Sequence, residues 1–106
     1  MEYEYKNGKE EGKAIDYYKN TIIEEFFFKN GKREGKAIRY IENTREVFEY
    51  KNGQKEGKAI KYFPNGEYIE YQYVNDKVEG KVVEHWIDGK VIESNYKNGK
   101  REGQII

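Results

Sequence analysis

Apolar and polar residues alternate along short stretches of this chain, and the stretches themselves recur. The chain reads KAIDYY from Lys13, KAIRYI from Lys36, KAIKYF from Lys58 and KVVEHW from Lys81. Strands point successive side chains to opposite faces, so this alternation predicts strands. Each stretch leads to an Asn or Asp (Asn20, Asn43, Asn65, Asp88) and then to a second run rich in Ile, Val, Tyr and Phe. These second runs also read as strands. No apolar stripe at helical spacing lasts, and Gly recurs throughout, so no helix is predicted.

Turn chemistry separates the strands. Asn-Gly or its variant precedes the first strand of every unit. Pro64–Gly66 and Asp88–Gly89 suit tight hairpins, because Gly reaches positive φ without strain. Thr21 and Thr44 replace that Gly in the first two units, which predicts looser turns, or turns of another type, there. The whole reads as an all-β antiparallel meander of about ten short strands, each pairing with its sequence neighbours.

The period is explicit. YKNGKEEGKAI from Tyr5, FKNGKREGKAI from Phe28, YKNGQKEGKAI from Tyr50, YVNDKVEGKVV from Tyr73 and YKNGKREGQII from Tyr96 align. Their starts lie 23, 22, 23 and 23 residues apart, and the fifth copy is truncated. Residues 1–106 therefore read as one repeat domain without a linker. Units of this kind bury their faces by stacking on one another.

Alternation sorts the faces. Ile15, Tyr17, Ile38, Tyr40, Ile60, Tyr62, Val83 and His85 share one face, which is the expected core. Ala14, Ala37, Ala59 and Val82 share the other, which ends in a bulky row of Tyr18, Ile41, Phe63 and Trp86. That row reads either as a minor packing seam or as an exposed stripe for a partner. Three phenylalanines, Phe26 to Phe28, raise a related question. Phe28 takes the repeat's aromatic slot and Phe26 shares its face. Phe27 occupies a slot that elsewhere holds Glu4, Glu49, Gln72 and Asn95. It either packs near Tyr18 and Ile22 or serves as a contact residue, since aromatics are favoured at binding hot spots. The partner-contact candidates are Phe27, Tyr18, Phe63 and Trp86.

The units resemble MORN repeats, whose pattern has an aromatic, Asn-Gly, a spaced Gly and a similar period. The resemblance covers almost the whole chain. It departs from the usual Gly-x-Gly, because Ala14, Ala37, Ala59 and Val82 stand at the second Gly, which is similar to the bacterial variant of the repeat. The resemblance implies an elongated, twisted, single-layer sheet of hairpins with an aromatic-lined groove. It also implies a non-enzymatic scaffold or protein-binding module, with membrane-lipid binding claimed for some members. Some bacterial variants are antitoxin-like or immunity-like.

Composition narrows the classes further. Charged residues make up 38% of the chain, yet the formal net charge is zero. No net positive field gathers phosphates, which argues against a nucleic-acid partner. Mean hydropathy is −1.16, but aromatics reach 16%, with 11 Tyr, so a thin fold of amphipathic side chains is expected instead of disorder. There is no Cys, hence no disulfide or thiolate chemistry. No apolar run approaches the ~20 residues of a membrane span. The start MEYEYKNGK lacks the apolar region of a signal peptide. A cytoplasmic setting is favoured unless the chain is a mature fragment.

No catalytic constellation, metal site or cofactor motif is legible. His85, the one histidine, stands where other units have Tyr17, Tyr40 and Tyr62, which reads as structural substitution. Glu11, Glu34, Glu56, Glu79 and Glu102 recur before the second Gly and read as a solvated rim. Cations gather at the unit-opening turns, and Lys29, Lys32, Arg33, Lys100 and Arg101 form a candidate anion or lipid edge. The recurring glutamates dilute that edge, so lipid binding ranks below protein binding, and a purely structural spacer is the third reading. Acidic residues, Glu24 and Glu46 among them, collect at the opposite ends. Finally, a linear meander leaves open edges near Tyr3 and Ile106, which invite pairing with a second copy. The closing REGQII, apolar at Ile105 and Ile106, either caps the sheet or docks another molecule.

Overall fold

The computed structural model describes residues 1–102 and, among them, contains strands but no helix. The strands are β1 (Glu2–Lys6), β2 (Lys9–Tyr18), β3 (Thr21–Lys29), β4 (Lys32–Arg33), β5 (Gly35–Ile41), β6 (Thr44–Lys51) and β7 (Gln54–Lys55). They continue as β8 (Gly57–Tyr62), β9 (Tyr68–Val74), β10 (Lys77–Val78), β11 (Gly80–His85), β12 (Val91–Lys97) and β13 (Lys100–Glu102). All lie in one open antiparallel sheet, ordered β1-β2-β3-β5-β6-β8-β9-β11-β12-β13. The two-residue strands β4, β7 and β10 fold back onto β3, β6 and β9. The sheet measures 50 × 27 × 18 Å, with a radius of gyration of 15.7 Å. A compact domain of this length would have about 13 Å. The elongated all-β meander expected from the repeat is therefore what forms. The closing Ile105 and Ile106 lie outside the described residues.

The core lies on the face opposite to the one expected. Buried apolar residues are Ala14, Phe26, Phe28, Ala37, Phe48, Tyr50, Ala59 and Val82, whereas Ile15, Ile38, Ile60 and Val83 are only half-buried. Cross-strand register supplies the reason. Ala14 pairs with Phe26, Ala37 with Phe48 and Ala59 with Tyr71. Gly12, Gly35, Gly57 and Gly80 pair with Phe28, Tyr50, Tyr73 and Tyr96. Each small residue leaves room for the ring across from it, so the rings lie down over the sheet. We call this the ring face, and its opposite the Ile face.

The rings form a continuous edge-to-face series. Tyr5, Tyr3, Phe28, Phe26, Tyr50, Phe48, Tyr73 and Tyr71 follow one another with centroids 5.1 to 6.3 Å apart. Such pairs contribute about 0.5–1.5 kcal/mol beyond their buried area. A core one side chain thick thus gains from geometry what it lacks in depth.

The turns also differ from expectation. Thr21 pairs with Tyr18 and Thr44 with Ile41 across two-residue loops, the tightest hairpin connection. In the first, Lys19 and Asn20 have φ of 49° and 64°, so no Gly is needed. Among the turns inside the units, the two that bear Gly66 and Gly89 are the longer ones. Phe63 N–H donates to Glu67 O and Trp86 N–H to Lys90 O, each across three residues. There Gly66 and Gly89 take the positive φ that closes the loop.

The recurring glutamates tie the units together. Asn30 N–H donates to Glu11 Oε2 (2.9 Å), Asn52 N–H to Glu34 Oε2 (2.8 Å), Asn75 N–H to Glu56 Oε1 (2.8 Å) and Asn98 N–H to Glu79 Oε2 (2.7 Å). Beside each, the next backbone N–H (Gly31, Gly53, Asp76, Gly99) donates to a carbonyl of the preceding turn. These four glutamates are half-buried, so they are inter-unit pins and not a solvated rim.

Candidate functional site

Glu24 and Glu46 sit on the ring face because each lies two residues before a core phenylalanine in the same strand. Both are buried. Glu24 Oε2 accepts from Tyr50 Oη at 2.7 Å and from Arg33 Nη1 at 3.2 Å, and Oε1 accepts from Arg39 Nε and Nη2 at 3.2 and 3.1 Å. Glu46 Oε2 accepts from Tyr73 Oη at 2.6 Å and also from Tyr71 Oη. A buried carboxylate is costly unless its lone pairs are satisfied, and these are met by several donors each.

The electrostatics follow. Burial, then hydrogen bonding to Glu24, raises the Tyr50 hydroxyl above its ordinary range. Burial and Glu46 do the same for Tyr71 and Tyr73. Burial alone would lower Arg39, but the charge and hydrogen bonds of Glu24 outweigh it and leave it raised. Lys55 is lowered, first by burial and then by Arg39.

All three of these cations lie over rings, Arg39 over Phe48 at 5.7 Å. The Arg33 guanidinium stands 4.2 Å from the Phe26 centroid and 5.4 Å from that of Tyr50. Lys55 Nζ stands 5.1 Å from Phe48 and 5.0 Å from Tyr73. Arg33 therefore faces inward. Lys29, Lys32, Lys100 and Arg101 remain exposed at the turn edge. Across the two-residue turns, Lys6 faces Lys9, Lys29 faces Lys32 and Lys97 faces Lys100.

The four partner-contact candidates do not form one patch. Phe27 is 47% exposed on the Ile face, beside a groove of about 360 Å³ whose walls include Lys13, Lys36, Ile38 and Val47. The expected neighbours Tyr18 and Ile22 are not in that groove. Phe63 and Trp86 share a small cleft with Tyr68, Ile69, Glu84 and His85. Tyr18, 64% exposed, ends β2, two units away from Phe63. The bulky row is thus largely open: Ile41 and Trp86 are exposed and Phe63 is half-buried. His85 occupies the tyrosine ladder of the Ile face, stacked on Tyr68 at 4.2 Å and bonded to Glu70 Oε1 at 2.6 Å.

Sequence reasoning missed Glu24, Glu46 and Lys55. The first two had been assigned to the acidic ends of the units. The available signal was their spacing: Glu24-Phe26-Phe28 and Glu46-Phe48-Tyr50 alternate in step, which puts each carboxylate on the face of the rings.

The MORN repeat family model matches residues 27–43, 49–68 and 93–104. No curated protein matches the chain. MORN repeats are generally associated with protein or membrane binding and are typically non-catalytic. With hairpin units pinned turn to turn at the period of those matches, this chain belongs to the MORN-repeat family.

Proposed function

We propose that this chain is a non-catalytic polypeptide-binding module, a scaffold or an antitoxin- or immunity-like protein, that contacts its partner through exposed aromatics. One observation supports the reading above the rest. Phe27, Tyr18 and Trp86 remain exposed, and Phe63 half-buried, although the same fold buries rings efficiently elsewhere. Exposed aromatics carry binding energy out of proportion to their number. The test is a binding titration with a partner captured on the immobilised chain. Phe27→Ser and Trp86→Ser should each weaken binding about tenfold or more, with the β circular dichroism unchanged. Affinity unchanged from that of the parent chain in both variants would overturn the contact assignment.

A second reading has its own support. Like charges directly opposite on a sheet are destabilising. Three Lys–Lys pairs of this kind flank the turns, and an anionic membrane surface would relieve them. Co-sedimentation with anionic vesicles that salt abolishes would favour this reading, and absence of co-sedimentation would dismiss it.

A further inference from the structure

The ring face shows twice what fills the space between neighbouring units. Arg33 lies across Phe26 and Tyr50, and Lys55 lies across Phe48 and Tyr73. The register makes these positions equivalent, because Arg33 pairs with Phe28, Lys55 with Tyr50 and Val78 with Tyr73. In the third slot the cation is therefore replaced by Val78. The flanking rings there are Tyr71 and Tyr96, and Ile69 stands where the first two slots have Glu24 and Glu46.

The short side chain leaves space. A cavity of about 250 Å³ opens at this point, with Ile69, Tyr71, Val78, Val82 and Tyr96 in its walls. The edge-to-face series of rings ends here as well. Phe26 meets Tyr50 at 6.2 Å and Phe48 meets Tyr73 at 6.3 Å, while Tyr71 makes no such contact with Tyr96 among the described residues. The family match skips residues 69–92, the stretch that carries Ile69, Val78 and Val82.

The charge around the cavity is unbalanced. Glu46 and Glu84 border it, against the single cation Lys61. Glu46 is occupied by two tyrosine hydroxyls. Glu84 is half-buried, and Trp86 Nε1–H, at 3.3 Å, is its side-chain donor. It forms no ion pair among the described residues. A partner side chain that suits this slot carries an apolar stem for Ile69, Val78 and Val82 and a cationic head for Glu84 and the tyrosine faces.

We propose that the third slot binds a Lys or Arg side chain of a polypeptide partner, in the manner in which the first two slots bind Arg33 and Lys55. The source of that side chain rests on the polypeptide-binding reading above. The slot itself does not, and a single-residue probe separates the two.

The experiment titrates the isotope-labelled chain with Nα-acetyl-lysine methylamide, followed by amide NMR, with Nα-acetyl-norleucine methylamide as the uncharged control. The lysine amide should give saturable shifts at Tyr71, Val78, Glu84 and Tyr96, with affinity at least about fivefold above the norleucine amide. Val78→Arg should fill the slot from within and lower affinity about tenfold. Glu84→Lys, at the rim where the core is not disturbed, should do the same and serves if Val78→Arg unfolds. No saturable shifts, equal affinity for the two amides, or shifts that survive both variants would overturn the slot. Saturable lysine binding together with unaltered partner affinity in Phe27→Ser and Trp86→Ser would uphold the slot and reject the aromatic contacts.

Discussion

Ser94 marks the one place where the small-opposite-large rule of the ring face is inverted. In the first three hairpins Ala14, Ala37 and Ala59 face Phe26, Phe48 and Tyr71, whereas in the fourth Val82 faces Ser94. The larger residue of the pair has moved to the other strand, but valine is smaller than the ring it replaces, and a hydroxyl has been buried. Ser94 is 1% exposed and its Oγ has no hydrogen-bond partner among the described residues. A buried hydroxyl without a partner costs about 1–3 kcal/mol. Ser94→Ala is therefore expected to stabilise the chain by about 1 kcal/mol, read from the midpoint of a urea transition with unchanged slope. Ser94→Phe alone should clash with Val82 and destabilise. Combined with Val82→Ala it rebuilds the arrangement of the other hairpins, so the double variant should be more stable than the two single effects sum to. Additivity would mean that the pair is not what sets the packing here.

Between elements, the pins at the turns decide how one hairpin meets the next. Glu34 illustrates them: its carboxylate accepts Asn52 N–H at 2.8 Å, and Gly53 N–H donates to Arg33 O beside it. Because the site is half-buried, the charged acceptor should matter moderately. Glu34→Ala is expected to cost about 1 kcal/mol and to speed hydrogen exchange at Asn52, while Glu34→Gln keeps an acceptor and should lose less. Unaltered exchange at Asn52 would show that the neighbouring backbone bond alone holds the turn. The sequence showed that Glu34 recurs but not why, since the contact joins a side chain to a backbone amide 18 residues away. Strand order, period and the open meander were legible because alternation and Asn-Gly turns are local. The choice of core face was not, because first strands read alone favour the bulkier Ile-x-Tyr side. Only the register places Phe26, Phe48 and Tyr71 over Ala14, Ala37 and Ala59. Slots whose counterparts are polar or terminal left open whether Phe27 and Trp86 pack or stand exposed, and both their exposure and their separation onto different patches required the fold.

Along the whole molecule, stability should follow position, since each unit touches only its neighbours in a sheet of this shape. The middle units hold the densest set of interactions. Phe26, Phe48 and Tyr50 are buried, Glu24 ties Arg33, Arg39 and Tyr50 together, and Glu46 ties Tyr71 and Tyr73. In β9 Ile69 replaces the carboxylate, and past β9 the ring series stops, Val78 replaces the cation and Ser94 replaces the ring. At the other end, β1 is exposed along its whole length. Units that interact only with neighbours can open from the ends, so local opening energies need not equal the global one. Hydrogen exchange under native conditions should therefore show highest protection at the paired amides of β3, β5 and β6, with protection falling through β11 and β12. Ser94→Phe with Val82→Ala, which extends the ring series by one unit, should raise protection in β12 while leaving β3 unchanged. Uniform protection from β2 to β12 would instead mean that the turn pins transmit stability along the full length, and that the sheet opens as a single cooperative body.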